Sequence, residues 1–235
     1  MYVREKILLP DRIEIQEKHT GRYGAPGQKR TKKRKATSEQ VVRQNKWKKI
    51  SHIRHLLLMN FRQYDYFTTL TYRTGERPET LEEAKKDFRI FIRKVRAYYK
   101  SMGMPCKWMV VGERGSRGGI HFHLVLNRIR DGDRMIAKYW THGGRATELM
   151  RQPETYGKLA EYLAKTPSNK SDEKSFFSHS RGLLEPKVVR EVMKRKTFRK
   201  DPFVPKGYVL DKDSLREGES CVTGHPYRYY TVMRC

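Results

Sequence analysis

Cysteine is scarce in this sequence: Cys106, Cys221 and Cys235 are the only three, and no CxxC pair occurs. That argues against a disulfide framework and a thiolate zinc site, and it predicts a reducing, cytoplasmic setting. Long apolar runs are missing as well. No stretch approaches the roughly 18 apolar residues of a membrane span, and the opening "MYVREKILLPDR" has no apolar core of the length a secretion signal needs. The expectation is a cytoplasmic chain with no membrane partner. Acid is in short supply: 26 Asp and Glu stand against 52 Lys and Arg, for a formal charge of +26. That excess is larger than solubility asks of a domain this size. Internal repeats are absent, and the glycine cluster "GERGSRGG" is no phosphate-binding loop, because neither Lys-Ser nor Lys-Thr follows it.

What the sequence does hold points to a polyanionic partner. The basic excess continues through the segments that read as folded, and 14 tyrosines are scattered among the cations. Basic residues interleaved with aromatics favour nucleic acid over an anionic membrane. A length of 235 residues suits one catalytic-sized domain with extensions.

Three regions follow from the text. Residues 1–36 are basic, rich in turn formers and without sustained periodicity, and they include the run "KRTKKRK" at Lys29 to Lys35; they read as a basic arm. Residues 37–166 read as a folded domain opening on a basic helix, with Thr37 and Gln40 at capping-box spacing. "YFTTLTY" is a strand by its β-branched and aromatic content. Thr80 and Glu83 form another capping box, and Leu81, Ala84, Phe88, Phe91, Ile92, Val95 and Tyr99 recur at helical spacing. Two strands follow, "KWMVVGE" and "IHFHLVLN", joined by the turn "RGSRGG". A short helix at Asp133 to Trp140, a strand at Ala146 to Arg151 and a helix at Glu154 to Lys165 complete the domain. The order β, α, β, β, α, β, α predicts an α+β fold of the split β-α-β, ferredoxin-like kind, an antiparallel sheet with helices on one face. Residues 167–235 read as a basic C-terminal extension in which "YRYYTVM" is one more strand.

The chemistry concentrates at the turn. Alternate residues of a strand face one way, so Ile120, Phe122, Leu124 and Leu126 share one side and His121, His123 and Val125 the other. A hairpin centred on Arg117 or Gly118 brings Glu113 opposite His121 or His123 on that same side. An isolated HxH is a weak motif, and histidines on exposed strand faces are common; the carboxylate at matching parity is what strengthens the reading. Two imidazoles and a carboxylate can hold a divalent cation, Mn2+ or Mg2+, the first better matched to imidazole and the second more abundant in cells. In the helix "ETYGKLAEYLAK", Tyr156, Leu159, Ala160 and Leu163 form the buried stripe, which leaves Tyr162 to its side as a candidate nucleophile. Lys165, three residues on, shares that flank and can stabilise a phenolate or developing phosphate charge.

Taken in order, "YFTTLTY", then "HFH" preceded by a glutamate, then "YLAK" resemble the three motifs of HUH endonucleases of the rolling-circle replication initiator (Rep) type, over about Phe67 to Lys165. "FFSHSRGL" and the stretch Trp140 to Gly144 are similar to small Rep-like proteins of bacterial plasmids, phages and integrative elements. The resemblance implies metal ligation by His121, His123 and Glu113, with Tyr162 as nucleophile and Lys165 assisting. It further implies attack on single-stranded DNA at an origin hairpin or nick site, giving a 5′-phosphotyrosine link and a free 3′-OH that primes synthesis, with a later transfer that reseals the strand. No second tyrosine sits at i+4 from Tyr162, so a single-tyrosine mechanism is implied, and without a Walker A motif unwinding falls to a separate helicase. Two alternatives stand beside this reading: a single-strand DNA transposase of the same superfamily, and a non-enzymatic nucleic-acid-binding protein whose sheet aromatics stack on bases. The oligomeric state is not legible in the sequence.

Overall fold

The computed structural model describes residues 1–19, 37–115, 118–152, 156–164, 175–220 and 223–235. Along the chain run β1 (Tyr2–Leu8), β2 (Arg12–Lys18), α1 (Ser38–Asn60), β3 (Tyr66–Thr71), α2 (Leu81–Ser101), β4 (Trp108–Arg114) and β5 (Ile120–Leu126). Then come α3 (Gly132–Tyr139), β6 (Arg145–Leu149), α4 (Tyr156–Ala164), β7 (Phe176–His179), β8 (Lys187–Met193), β9 (Tyr208–Glu219) and β10 (Pro226–Arg234). The fold class is α+β, with two five-stranded antiparallel sheets. The chain divides into two units, Lys48–Leu184 and the combination of Met1–Trp47 with Glu185–Cys235. Among the described residues no helix is long and apolar enough to cross a membrane.

The unit Lys48–Leu184 is built on the sheet β6-β3-β5-β4-β7, antiparallel throughout. α2 starts where the Thr80 side chain accepts from the Glu83 amide while the Glu83 side chain answers the Thr80 backbone, a full capping box. Its apolar stripe, including Phe88, Phe91 and Val95, packs with Met135 and Ile136 of α3 against Leu70, Val110, Phe122 and Leu124 of the sheet. Phe122 is fully buried; a side chain of that size contributes about 1.5–3 kcal/mol by leaving water. The antiparallel α+β class is as the element order implied. The arrangement of the helices differs from expectation, however, because they are not all on one face: α4 brings the Tyr162 ring to 4.7 Å from the His123 ring and 6.2 Å from Phe67, on the side opposite Phe122. The sheet also runs past the expected boundary at residue 166, because β7 pairs with β4 from Met109↔His179 to Gly112↔Phe176.

The second unit is a sheet of order β8-β1-β2-β10-β9. It corrects two expectations. The first half of the predicted arm forms β1 and β2, and the predicted extension supplies β8, β9 and β10. The physical reason is a charged interior. One row across all five strands reads Glu191, Arg4, Glu17, Arg228, Glu217, with Arg4 only 4% and Glu17 1% exposed. Arg4 holds Glu17 at 2.8 Å, and Arg228 bridges to Glu217. Buried groups that are charged rather than apolar erase the alternation by which strands are recognised. Residues 20–36, with the "KRTKKRK" run, lie outside the described residues, as does Lys165.

Candidate metal and nucleophile site

The site grows from the β4–β5 hairpin. Gly115 donates to the Gly119 carbonyl at 2.8 Å and Gly118 donates back to the Gly115 carbonyl at 2.9 Å. Gly118 takes φ +78°, the left-handed region that a side chain would resist. Arg114 Nη1 donates to the Gly118 carbonyl at 2.8 Å and ties the turn to its own strand. This turn sets the register Glu113↔His121 and Val111↔His123. Parity does the rest, and Glu113, His121 and His123 share the face away from Phe122.

Their donor atoms converge. Glu113 Oε1 lies 3.2 Å from His121 Nε2 and 3.3 Å from His123 Nε2, and one ligand atom from each of the three falls within 4.8 Å of the others. Hydrogen bonds from His121 and then His123 pull the Glu113 carboxyl down to about 2, against the cost of partial burial. The Glu113 carboxylate in turn raises His121 above its ordinary value, with burial opposing. The trio therefore gathers positive charge around one carboxylate. A cluster of two imidazole nitrogens and one carboxylate oxygen that attracts a proton has the donor chemistry for a divalent cation such as Mn2+ or Mg2+.

Tyr162 joins this trio. Its hydroxyl lies 2.6 Å from His123 Nε2 and 3.3 Å from His123 Nδ1. Burial, followed by the nearby Glu113 charge, raises the phenol above its ordinary value, so the resting group is a protonated donor. Tyr156 and Ala160 are buried in the same helix, which separates the two tyrosines by helix face. Four sequence-predicted site residues, Glu113, His121, His123 and Tyr162, are thus in mutual reach.

Two further residues shape the site and had no place in the sequence-derived set. Phe67 stacks on the His123 ring at 6.0 Å and 11° between planes. Thr69 shares a hydrogen bond of 3.2 Å with His123 Nδ1. When Nδ1 carries the proton and donates to Thr69, the Nε2 lone pair faces Glu113 and Tyr162, the state a metal-binding imidazole needs. A signal for both was available: period two on β3 puts Phe67 and Thr69 on one face, and the register Thr69↔His123 makes that the histidine face. Below them Trp140 Nε1 donates to the Thr71 carbonyl at 3.0 Å and steadies the end of β3.

No curated protein and no solved structure matches the chain. Residues 65–167, which carry β3 to α4 and all four of these side chains, match the model of a family described as replication-associated protein ORF2, a similarity that supports a replication initiator.

Proposed function

We propose that this protein is a rolling-circle replication initiator that nicks and rejoins single-stranded DNA at an origin through a 5′-phosphotyrosine intermediate on Tyr162. The observation that carries the reading is the Tyr162 hydroxyl 2.6 Å from His123 Nε2, beside a carboxylate and a second imidazole. Glu113, His121 and His123 would hold Mn2+ or Mg2+, which when bound polarises a phosphodiester oxygen and stabilises charge developing on it. Tyr162 supplies the attacking oxygen. A bond forms from that oxygen to phosphorus, and the bond from phosphorus to the 3′-oxygen of the preceding nucleotide breaks. One proton leaves the phenol and one reaches the departing 3′-oxygen. Because the resting phenol is held protonated by burial and by Glu113, the hydroxyl stays unreactive until substrate brings a positive counter-charge or base into the site. Lys165, three residues along the sequence, completes the proposed set as the group that answers phenolate or phosphate charge. Rejoining is the reverse displacement, with a 3′-OH attacking the phosphotyrosine.

The charge of +26 supports a nucleic-acid partner in the cytoplasm, with unwinding left to a separate helicase. The similarity to the replication-associated family favours initiation over transposition. The test is cleavage of a labelled single-stranded origin fragment. His121→Ala or His123→Ala should abolish cleavage and leave DNA binding largely intact, since binding rests on Lys and Arg. Full cleavage in EDTA would refute the metal.

A further inference from the structure

The face of the β6-β3-β5-β4-β7 sheet that α2 covers carries a second feature, on the side away from the histidine pair. Between α2 and β7 lies an open groove of about 630 Å³. Its helix wall is cationic and its strand wall aromatic: Lys85, Arg89, Arg93 and Arg96 face Phe176 and Phe177, and no acidic side chain lines it. The spacing explains the wall. Steps of four, four and three residues keep these cations on one flank of the helix, while Phe88, Ile92 and Val95 turn to the core.

Lys85 is engaged already, by Glu82 and by the Phe176 ring, whose centroid is 5.1 Å from its ammonium. The three arginines are different. All are exposed, and among the described residues none of them is held in an ion pair. Seven residues at about 1.5 Å each spread Arg89 to Arg96 over roughly 10 Å of helix. Three like charges in a row repel one another unless a polyanion lies along them. The half-buried Phe177 beside them suits stacking on bases that a single strand exposes and a duplex hides.

We infer that the α2–β7 groove binds the sugar-phosphate backbone of single-stranded DNA, as a contact separate from the Glu113–His121–His123–Tyr162 site. This goes beyond the nicking reading, because the groove would grip a strand whether or not the other face cleaves it.

The test is equilibrium binding of the full chain to a labelled oligothymidylate in EDTA, followed by anisotropy across a salt series. The groove variant replaces Arg89, Arg93 and Arg96 together with Ala. A control replaces Lys86, Lys94 and Lys100 of the same helix with Ala and loses the same charge. Ala at exposed helix positions preserves helix propensity, so both should fold. The groove variant should lower the slope of log affinity against log salt by about 2, from roughly 0.7 for each lost phosphate contact on a single strand. The control should lower it by less than half as much. Equal slopes for the two variants, or a groove variant that binds like the wild type, would overturn the proposal. A groove-dependent loss as large on a duplex of the same length would overturn the single-strand assignment. Since no cleavage is read, failure here leaves the nicking proposal standing, and failure of nicking leaves the groove standing.

Discussion

Thr69→Val tests how the site presents its most enclosed imidazole. His123 is 5% exposed; its ring lies on Phe67, edge-on to His121 at 4.8 Å, and against Tyr162 at 4.7 Å. Within that enclosure the Thr69 hydroxyl at 3.2 Å partners Nδ1. Valine has nearly the same shape, so the substitution removes the hydrogen bond and little else. A buried polar atom left without its partner costs about 1–3 kcal/mol. Part of that loss is recoverable, because the Tyr162 hydroxyl already lies 3.3 Å from Nδ1 and can shift toward it. The shift takes the hydroxyl away from Nε2 and loosens both candidate ligand and nucleophile. Loss of such an orienting partner lowers metal affinity by roughly 10- to 100-fold. Calorimetric titration with Mn2+ reads it directly, and the loss should deepen in a Tyr162→Phe background, where the substitute partner is gone. Unchanged affinity in both backgrounds, with unshifted His123 ring-nitrogen resonances, would refute the reasoning.

Gly143→Ala should destabilise the domain by about 2–4 kcal/mol, read by urea denaturation. An added Cβ would lie 2.6 Å from the Arg73 amide nitrogen and 2.7 Å from the Tyr72 carbonyl carbon, and would press on the Thr71 carbonyl oxygen. Backbone cannot swing aside as a side chain can, so the paired bonds Thr71 to Gly144 and Arg73 to His142 must open. Affinity for Mn2+ should rise with pH. His121 is raised above the ordinary histidine value by Glu113, so below that raised value a proton competes for its nitrogen, and above it the competition ends. Glu113, held at about 2, stays ionised throughout and adds no slope. Titrations between about pH 6 and 8 should show the rise, and His121→Ala should remove it; a flat wild-type profile would contradict the assigned shift.

Much of the site is legible before any coordinates, because strand parity and hairpin counting need only spacing. "GERGSRGGIHFH" places Glu113 across from His121, and the observed pairing is that one. The apolar stripe of α4 likewise separates the buried Tyr156 from Tyr162. The capping boxes at Thr37 with Gln40 and at Thr80 with Glu83 form as their spacing implies. Other features needed tertiary information. Thr69 has no local signature as a histidine partner until the β3–β5 register is known. The strands Tyr2–Leu8 and Arg12–Lys18 escaped notice because Arg4, Glu14 and Glu17 are buried charges, and a strand whose buried face is ionic reads as a solvated arm. The placement of α4 on the histidine face is set by packing across the sheet, which element order alone does not specify.

The proposed function stands or falls on the covalent link. A labelled single-stranded origin fragment incubated with the protein and Mn2+, resolved on a denaturing gel and followed by mass spectrometry of the linked peptide, tests it most directly. Tyr162, with its hydroxyl 2.6 Å from His123 Nε2, should carry the adduct. Tyr162→Phe lacks only a hydroxyl; it should fold and bind the ion yet form no adduct. The buried Tyr156, changed to Phe, should leave the adduct intact. An adduct that maps to Tyr156, or one that survives in Tyr162→Phe, would contradict the account.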